Sequence, residues 1–136
     1  MKCKRMRPDG RLSGVSFPTP LEELVGSWLT VPDLAERLGL PLSRVRGLIE
    51  DRELIASRVG PRRVVAVPER FLDDEGVLPA LRGTVTVLAD GGFGDDAIIE
   101  WLFTADETLP GGPTPIDSMR AGHKTEVRRR AMEEAL

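Results

Sequence analysis

Six arginines lie within twenty consecutive positions near the middle of this 136-residue chain. They are Arg44, Arg46, Arg52, Arg58, Arg62 and Arg63. The guanidinium group is a planar, permanently charged donor whose geometry suits phosphate oxygens, so such a cluster can build a local anion-binding surface. The spacing therefore indicates phosphate recognition as the chemistry of this segment.

The distribution of charge supports this interpretation better than the total charge does. The formal net charge of −3 argues at first against a polyanionic partner. However, residues 73–136 carry 13 acidic and 6 basic side chains, so the acidity is concentrated in the second half of the chain. The first half is weakly basic, and a local basic surface can attract phosphate whatever the total charge.

Residues suited to catalysis or to metal binding are scarce. His123 is the only histidine and Cys3 is the only cysteine, so no set of metal ligands and no histidine-based acid–base pair is available. Asp95, Asp96 and Glu100 are better explained as partners of a helix start than as catalytic carboxylates. We therefore expect no enzyme activity, no cofactor and no metal site.

Two short helices are predicted in front of and within the arginine cluster. Thr30 is a suitable N-cap for the first helix, and Gly39 is typical of a helix end. A second helix follows, with Val45, Leu48 and Ile49 at the i, i+3 and i+4 spacing of one buried face. The pattern predicts two helices joined by a tight turn.

A β-hairpin is predicted next. Leu54–Val59 and Arg63–Val67 are rich in β-branched residues, and Gly60–Arg62 between them forms a short loop. Pro68 closes the second strand, and one further helical turn is expected over residues 69–72. Residues 30–72 are thus predicted to form a helix, a turn, a second helix and a hairpin in this order. This arrangement has the dimensions of a winged helix-turn-helix.

The second helix has one face that points away from the predicted core. On a 100° helical wheel Ser43, Gly47 and Glu50 point outward, and Arg44 and Arg46 flank them. An α-helix has the right width for the DNA major groove, so these are the candidate groove-facing positions. Gly47 costs about 1 kcal/mol in a helix relative to alanine, and close approach to DNA is one rationale for it.

The hairpin would add a second set of contacts. Arg58, Arg62 and Arg63 would project from it toward phosphates or into the minor groove. Glu50, Asp51 and Glu53 dilute this positive surface and are expected to hold Arg46 or Arg52 in local ion pairs. The predicted DNA-binding residues are Ser43, Arg44, Arg46, Gly47, Arg58, Arg62 and Arg63.

The first half of the chain resembles a known class of DNA-binding domain. The stretch LPLSRVRGLIEDRELIASRVGPRRVVAVPERF is similar to the winged helix-turn-helix of the MerR and excisionase class. The resemblance implies that the four helix positions above face the major groove and that the three hairpin arginines serve the wing. The long coiled coil and clustered cysteines of the metal-sensing and drug-sensing MerR proteins have no counterpart here.

The second half is predicted to be helical, with helices over residues 78–89, 95–103 and 125–136 and a short turn near Ile116. Residues 88–122 are similar to the C-terminal domain of antitoxins of the Xre/MbcA/ParS type. The match is carried by Trp101, Leu102, Gly111, Gly112, Thr114 and Pro115. Together the two halves resemble a small actinobacterial family of DNA-binding regulators.

These observations predict a mainly α fold in which a winged helix-turn-helix with a small two-stranded wing is followed by a C-terminal helical bundle. The expected divisions are a flexible basic arm at 1–20, the DNA-binding domain at 21–76 and the helical domain at 77–136. A short helix is expected over residues 21–29, and a polar break over residues 73–76.

Double-stranded DNA is the expected partner, bound as a transcriptional regulator or nucleoid-associated protein. The alternative is an antitoxin-like protein that binds a toxin through its C-terminal helices and regulates its own operon. A protein partner or self-association through those helices fits either function. No apolar run approaches the ~20 residues that span a bilayer, so a cytoplasmic, nucleoid-associated protein is expected.

Overall fold

The computed structural model describes residues 20–136, and within them the chain is mainly helical with small antiparallel sheets. The helices are α1 (Leu21–Val25), α2 (Val31–Leu38), α3 (Leu42–Glu50), α4 (Leu81–Asp90), α5 (Asp95–Phe103), α6 (Pro115–Arg120) and α7 (Lys124–Glu134). The strands are β1 (Trp28–Thr30), β2 (Ser57–Val59), β3 (Val64–Pro68), β4 (Leu72–Asp73) and β5 (Gly76–Val77). The predicted fold class is confirmed. The predicted basic arm lies outside the described residues, except for Pro20.

Helices α2 and α3 form the predicted helix-turn-helix. The Thr30 hydroxyl accepts a hydrogen bond from the Asp33 backbone N–H at 3.4 Å, and the Asp33 carboxylate accepts one from the Thr30 N–H at 3.2 Å. This capping box satisfies two backbone donors at the start of α2. Gly39 ends α2 with φ of 67°, a left-handed conformation that glycine adopts without strain. Local sequence signals therefore fix the turn between the two helices.

The three-stranded sheet has the order β1–β3–β2, and all its pairs are antiparallel. The prediction of one helix over residues 21–29 is wrong, because α1 ends at Val25 and Trp28 begins a strand. Gly26, with φ of 85°, ends α1, and Leu29 then pairs with Val67 of β3. The apolar spacing of this segment fits a helix, but the distant partner strand decides its structure.

The boundaries of the predicted hairpin also change. The first strand begins at Ser57, because Leu54 and Ile55 are buried in the core directly after α3. The Leu54 N–H donates to the carbonyl of Leu48 at 3.2 Å, which keeps this segment attached to the end of the helix. Strand β3 ends at Pro68, as predicted.

The predicted polar break at residues 73–76 is a second, very small hairpin. Leu72 pairs with Val77, and Asp73 pairs with Gly76. The Leu78 N–H donates to the Phe71 carbonyl at 3.0 Å, so residue 78 continues this hairpin and α4 begins at Leu81. The helix is therefore shorter at its start than its apolar pattern suggests.

One hydrophobic core joins the helix-turn-helix to the C-terminal helices. The rings of Phe71 and Phe103, one from each half, lie 5.8 Å apart between centroids. Helix α1 packs against α5, α4 packs against α7, and α6 contacts both α5 and α7. The ion pair between Arg52 and Asp95, at 2.8 Å, adds a contact between the end of α3 and the start of α5. The C-terminal helices thus support the element that carries the candidate site.

Candidate nucleic-acid interface

Helix α3 packs on one face and leaves the other to solvent. Val45 is fully buried, and Leu48 and Ile49 are partly buried against the core. Burial of a side chain of this size contributes about 1.5–3 kcal/mol, so the orientation of α3 is strongly defined. The predicted contact residues on its outer side, Ser43, Arg44 and Arg46, are all exposed.

Gly47 has no structural neighbour that requires a glycine. A Cβ atom built at this position meets no other group within 4 Å, so the protein itself has room for a side chain. A glycine inside a helix nevertheless costs about 1 kcal/mol relative to alanine. Packing among the described residues therefore does not explain why this position is a glycine.

The wing consists of β2, β3 and the turn between them. The Arg63 N–H donates to the Gly60 carbonyl at 3.1 Å and closes a turn with Pro61 at its second position, where proline is favoured. The Arg58 guanidinium donates to the Arg63 carbonyl at 3.2 Å. The three arginines predicted to serve the wing, Arg58, Arg62 and Arg63, are exposed.

The wing tip is attached to α1 through a side chain that the sequence analysis did not select. The Glu22 carboxylate accepts a hydrogen bond from the Gly60 N–H at 3.1 Å. The backbone carbonyl of Glu22 also accepts a hydrogen bond from the Trp28 indole N–H at 3.2 Å. Glu22 therefore fixes the tip of the wing relative to α1, through a contact across 38 positions that no local pattern indicates.

The arginines of α3 and the wing are not neutralised by carboxylates of the described part of the chain. Within residues 20–136, no carboxylate forms an ion pair with Arg44, Arg46, Arg58, Arg62 or Arg63. The predicted local pairs with Glu50, Asp51 and Glu53 are wrong, because Arg52 pairs with Asp95 and Arg46 points to solvent. Five positive charges thus remain available on these two elements.

Two large apolar side chains on the same elements are also exposed. Leu42, in the first turn of α3, and Val64, at the start of β3, are each 41% exposed. Neither belongs to the hydrophobic core, although the neighbouring Leu40, Leu48 and Val65 pack against it. Neither residue could be selected from the sequence alone, because exposure of an apolar residue depends on how the whole element packs.

The acidic residues of the second half do not assemble into a metal site within residues 20–136. That part of the chain holds no cluster of three or more metal-ligating side chains. Of the acidic residues at the start of α5, Asp95 is engaged by Arg52. Hydrogen bonds from Thr108 and the nearby Arg130 lower the pKa of Asp106. The Arg130 contact, at 3.0 Å, joins Asp106 to α7.

No helix in the described part of the chain has both the length and the apolar character needed to cross a bilayer.

Two family models match the chain in succession. Residues 21–72 match the winged helix-turn-helix domain of the DNA-binding protein Rv2175c, and residues 78–135 match the Rv2175c C-terminal domain of unknown function. The DNA-binding protein Rv2175c of Mycobacterium tuberculosis is 35% identical over an alignment that covers 74% of this chain and 75% of that protein. The NMR structure of Rv2175c superposes with a TM-score of 0.72 at 29% identity, and covers 93% of this chain and 99% of that one.

Proposed function

The chain belongs to the Rv2175c family of DNA-binding proteins, and on that premise we propose that it binds double-stranded DNA in a sequence-specific manner and regulates transcription. The observation that carries the proposal is the set of five exposed arginines on α3 and the wing, which form no ion pair within residues 20–136. Arginines that neutralise phosphates release counterions, which drives association with duplex DNA.

Helix α3 is the element proposed to enter the major groove. Its buried face is held by the core, so its outer face is a rigid surface of suitable width. Arg44 and Arg46 can each contact guanine edges or phosphates, and Ser43 lies in the first helical turn, where side chains approach the DNA backbone. Gly47 would let the helix backbone lie close to the base edges.

Leu42 extends the proposed surface with an apolar contact. The thymine methyl group is the one apolar feature that a base edge presents in the major groove. Leu42 lies in the first turn of α3, beside the proposed contact Ser43, and has no role in the core. We therefore place a thymine opposite Leu42 in the bound site.

The wing is proposed to bind the DNA backbone beside α3. Arg62 and Arg63 stand at the tip of a short hairpin, and Glu22 holds that tip in place. Because the tip is fixed before DNA binds, little entropy is lost when its arginines meet phosphates. Arg58 is partly committed to the Arg63 carbonyl and orders the turn.

The Gly47→Ala variant tests the proposed approach of α3 to DNA, because its stability and its DNA affinity can be measured separately. Space is free at this position, so the variant should be at least as stable as the wild type in thermal unfolding. Its affinity for selected duplexes should nevertheless fall about tenfold, which corresponds to ~1.4 kcal/mol, because the methyl group separates α3 from the DNA. Selection from random duplexes should also return an altered motif.

Gly83→Ala is the matched control for this experiment, since Gly83 lies inside α4 and an added Cβ meets only the Arg128 guanidinium at ordinary contact distance, 3.6 Å. The Gly83→Ala variant should be more stable than the wild type in thermal unfolding, and it should keep the wild-type affinity for DNA and the same selected motif. If Gly47→Ala binds the same motif with wild-type affinity, α3 does not approach DNA and the proposal fails.

The remaining assignments follow from this function. We propose residues 21–76 as the DNA-binding domain and residues 77–136 as a supporting helical domain in a protein of the nucleoid, and a binding role rather than a catalytic one. We also propose that the DNA-binding domain is similar to those of the MerR and excisionase proteins.

The antitoxin alternative rests on the sequence resemblance. Several residues that carry the resemblance have local structural roles. The Thr114 hydroxyl caps α6 by accepting the Asp117 N–H at 3.2 Å, and a Cβ at Gly112 would lie 2.5 Å from the Cβ of Asp117. These contacts explain the motif without a toxin. A toxin gene beside this one would favour the alternative.

A further inference from the structure

A cavity of about 570 Å³ lies between α4 and α7 in the C-terminal half, which the proposed function leaves without a ligand. This volume is within the usual range for small-molecule sites, roughly 300–1,000 Å³. One part of the wall is apolar and includes Ala80 and Met132, and another part carries the hydroxyl-bearing residues Thr84 and Thr125. The cavity thus combines a polar part with an apolar part.

The charge around the cavity is opposite to that of the surrounding domain. Residues 73–136 hold only 6 basic side chains, and three of them, Lys124, Arg128 and Arg129, line this one cavity. None of the 13 acidic residues of the same half lines it. Of the other basic residues, Arg120 donates to backbone carbonyls and Arg130 pairs with Asp106 at 3.0 Å, so both have structural roles.

The basic groups at the cavity are largely uncommitted. Within residues 20–136, Lys124 and Arg128 form no ion pair. Arg129 pairs with Glu126 at 3.1 Å, but both side chains are well exposed, and such pairs contribute little. An anion that enters the cavity would therefore meet cations that need not break a strong interaction first.

Two features of the backbone favour the same ligand chemistry. The first turn of α7, which supplies Lys124 and Thr125, has no side-chain cap, so its N–H groups are free to meet an anion. On the opposite wall, the Arg128 guanidinium lies beside Gly83 of α4, 3.6 Å from the position that a Cβ would take there, which places its charge at the cavity wall.

We propose that this cavity binds a small molecule that carries a phosphate group on a partly apolar body. The phosphate is held by Lys124, Arg128 and the first turn of α7, and the apolar portion lies against Met132. A backbone phosphate of DNA offers the same group, but the acidic domain around the cavity repels a long polyanion. The ligand is therefore a small phosphorylated molecule.

The test uses the full chain labelled with ¹⁵N and titrated with inorganic phosphate, with sodium chloride at matched ionic strength as the salt control. Saturable amide shifts are expected at Lys124, Thr125 and Arg128, with no saturable change in chloride. Lys124→Gln with Arg128→Gln should weaken phosphate binding about tenfold or more, because two charge-assisted contacts are lost. Arg82→Gln removes an exposed charge from α4 outside the cavity and should bind phosphate like the wild type.

Three results would overturn the proposal: shifts that do not saturate, shifts confined to the wing arginines, or equal loss in the Arg82→Gln control. A second titration with a short duplex separates the two sources of phosphate. If duplex DNA shifts the α7 amides and the double variant weakens DNA binding, the phosphate is that of the DNA backbone and the small-molecule assignment is wrong. Retained DNA affinity in the double variant would support it.

Discussion

Removal of the two arginines at the wing tip, by Arg62→Ala and Arg63→Ala, should change the salt dependence of DNA binding. Both side chains are exposed and neither forms an ion pair within residues 20–136, so each is free to neutralise one phosphate. The substitutions should leave the turn intact, because it is closed by the backbone bond between residues 60 and 63. The fold is therefore retained while two phosphate contacts are lost.

The size of the effect follows from counterion release. The logarithm of the binding constant falls with the logarithm of salt concentration by a slope of about 0.9 for each phosphate neutralised. Loss of two contacts should reduce that slope by roughly 1.8. Between about 50 and 200 mM salt, the wild type should then lose about tenfold more affinity than the variant.

Fluorescence anisotropy of a labelled duplex, repeated at several salt concentrations, measures this slope directly. The control is Arg82→Ala, which removes an exposed positive charge from α4 outside the cavity between α4 and α7. It should keep the wild-type slope, because Arg82 lies outside α3 and the wing. Parallel salt plots for the wild type and the wing variant would refute the assignment of phosphate contacts to the wing.

Three further predictions concern neighbouring groups. Replacement of thymine by deoxyuridine in the selected site should weaken wild-type binding about fourfold, which is the value of one buried methyl group, but should not weaken DNA binding by the Leu42→Ala variant. Anisotropy measures both affinities, and equal losses would show that Leu42 does not contact a thymine methyl group. The Glu22→Ala variant should bind DNA more weakly than the Glu22→Gln variant, because glutamine keeps an acceptor for the Gly60 N–H. Identical affinities of the two variants would show that this hydrogen bond does not order the wing. Asp106→Asn should reduce stability at neutral pH in urea titrations. Because the pKa of Asp106 in the folded chain is lowered from its ordinary 3.8, the difference should shrink as the pH falls below 3.8 and disappear once the pH lies below the lowered pKa. A difference that persists at still lower pH would contradict the stated cause.

Local signals in the sequence predicted those parts of the fold that local contacts decide. The cap at Thr30 and the left-handed Gly39 act within a few residues, so α2 and its turn could be predicted from residue types alone. Trp28 and Leu29 could not be placed in the same way. Their spacing suits a helix, and the strand they form depends on Val67 and Pro68, nearly forty positions later.

The same distinction applies to the candidate site. The outer face of α3 follows from periodicity, since burial of Val45 determines which side remains exposed. The pairing of Arg52 with Asp95 and the bond from Gly60 to Glu22 join segments that are far apart in the chain, so charge spacing alone pointed to the wrong local pairs. The DNA-contacting roles of the selected residues remain predictions.

The proposed DNA-binding function depends on one placement, that of α3 in the major groove with the wing on the neighbouring DNA backbone. Intermolecular nuclear Overhauser effects in a complex with a selected duplex measure it most directly. We expect contacts from Leu42, Ser43 and Arg46 to major-groove protons, including thymine methyl groups, and from Arg62 to sugar protons. Contacts to the duplex that come mainly from α4 to α7, with none from α3, would contradict it.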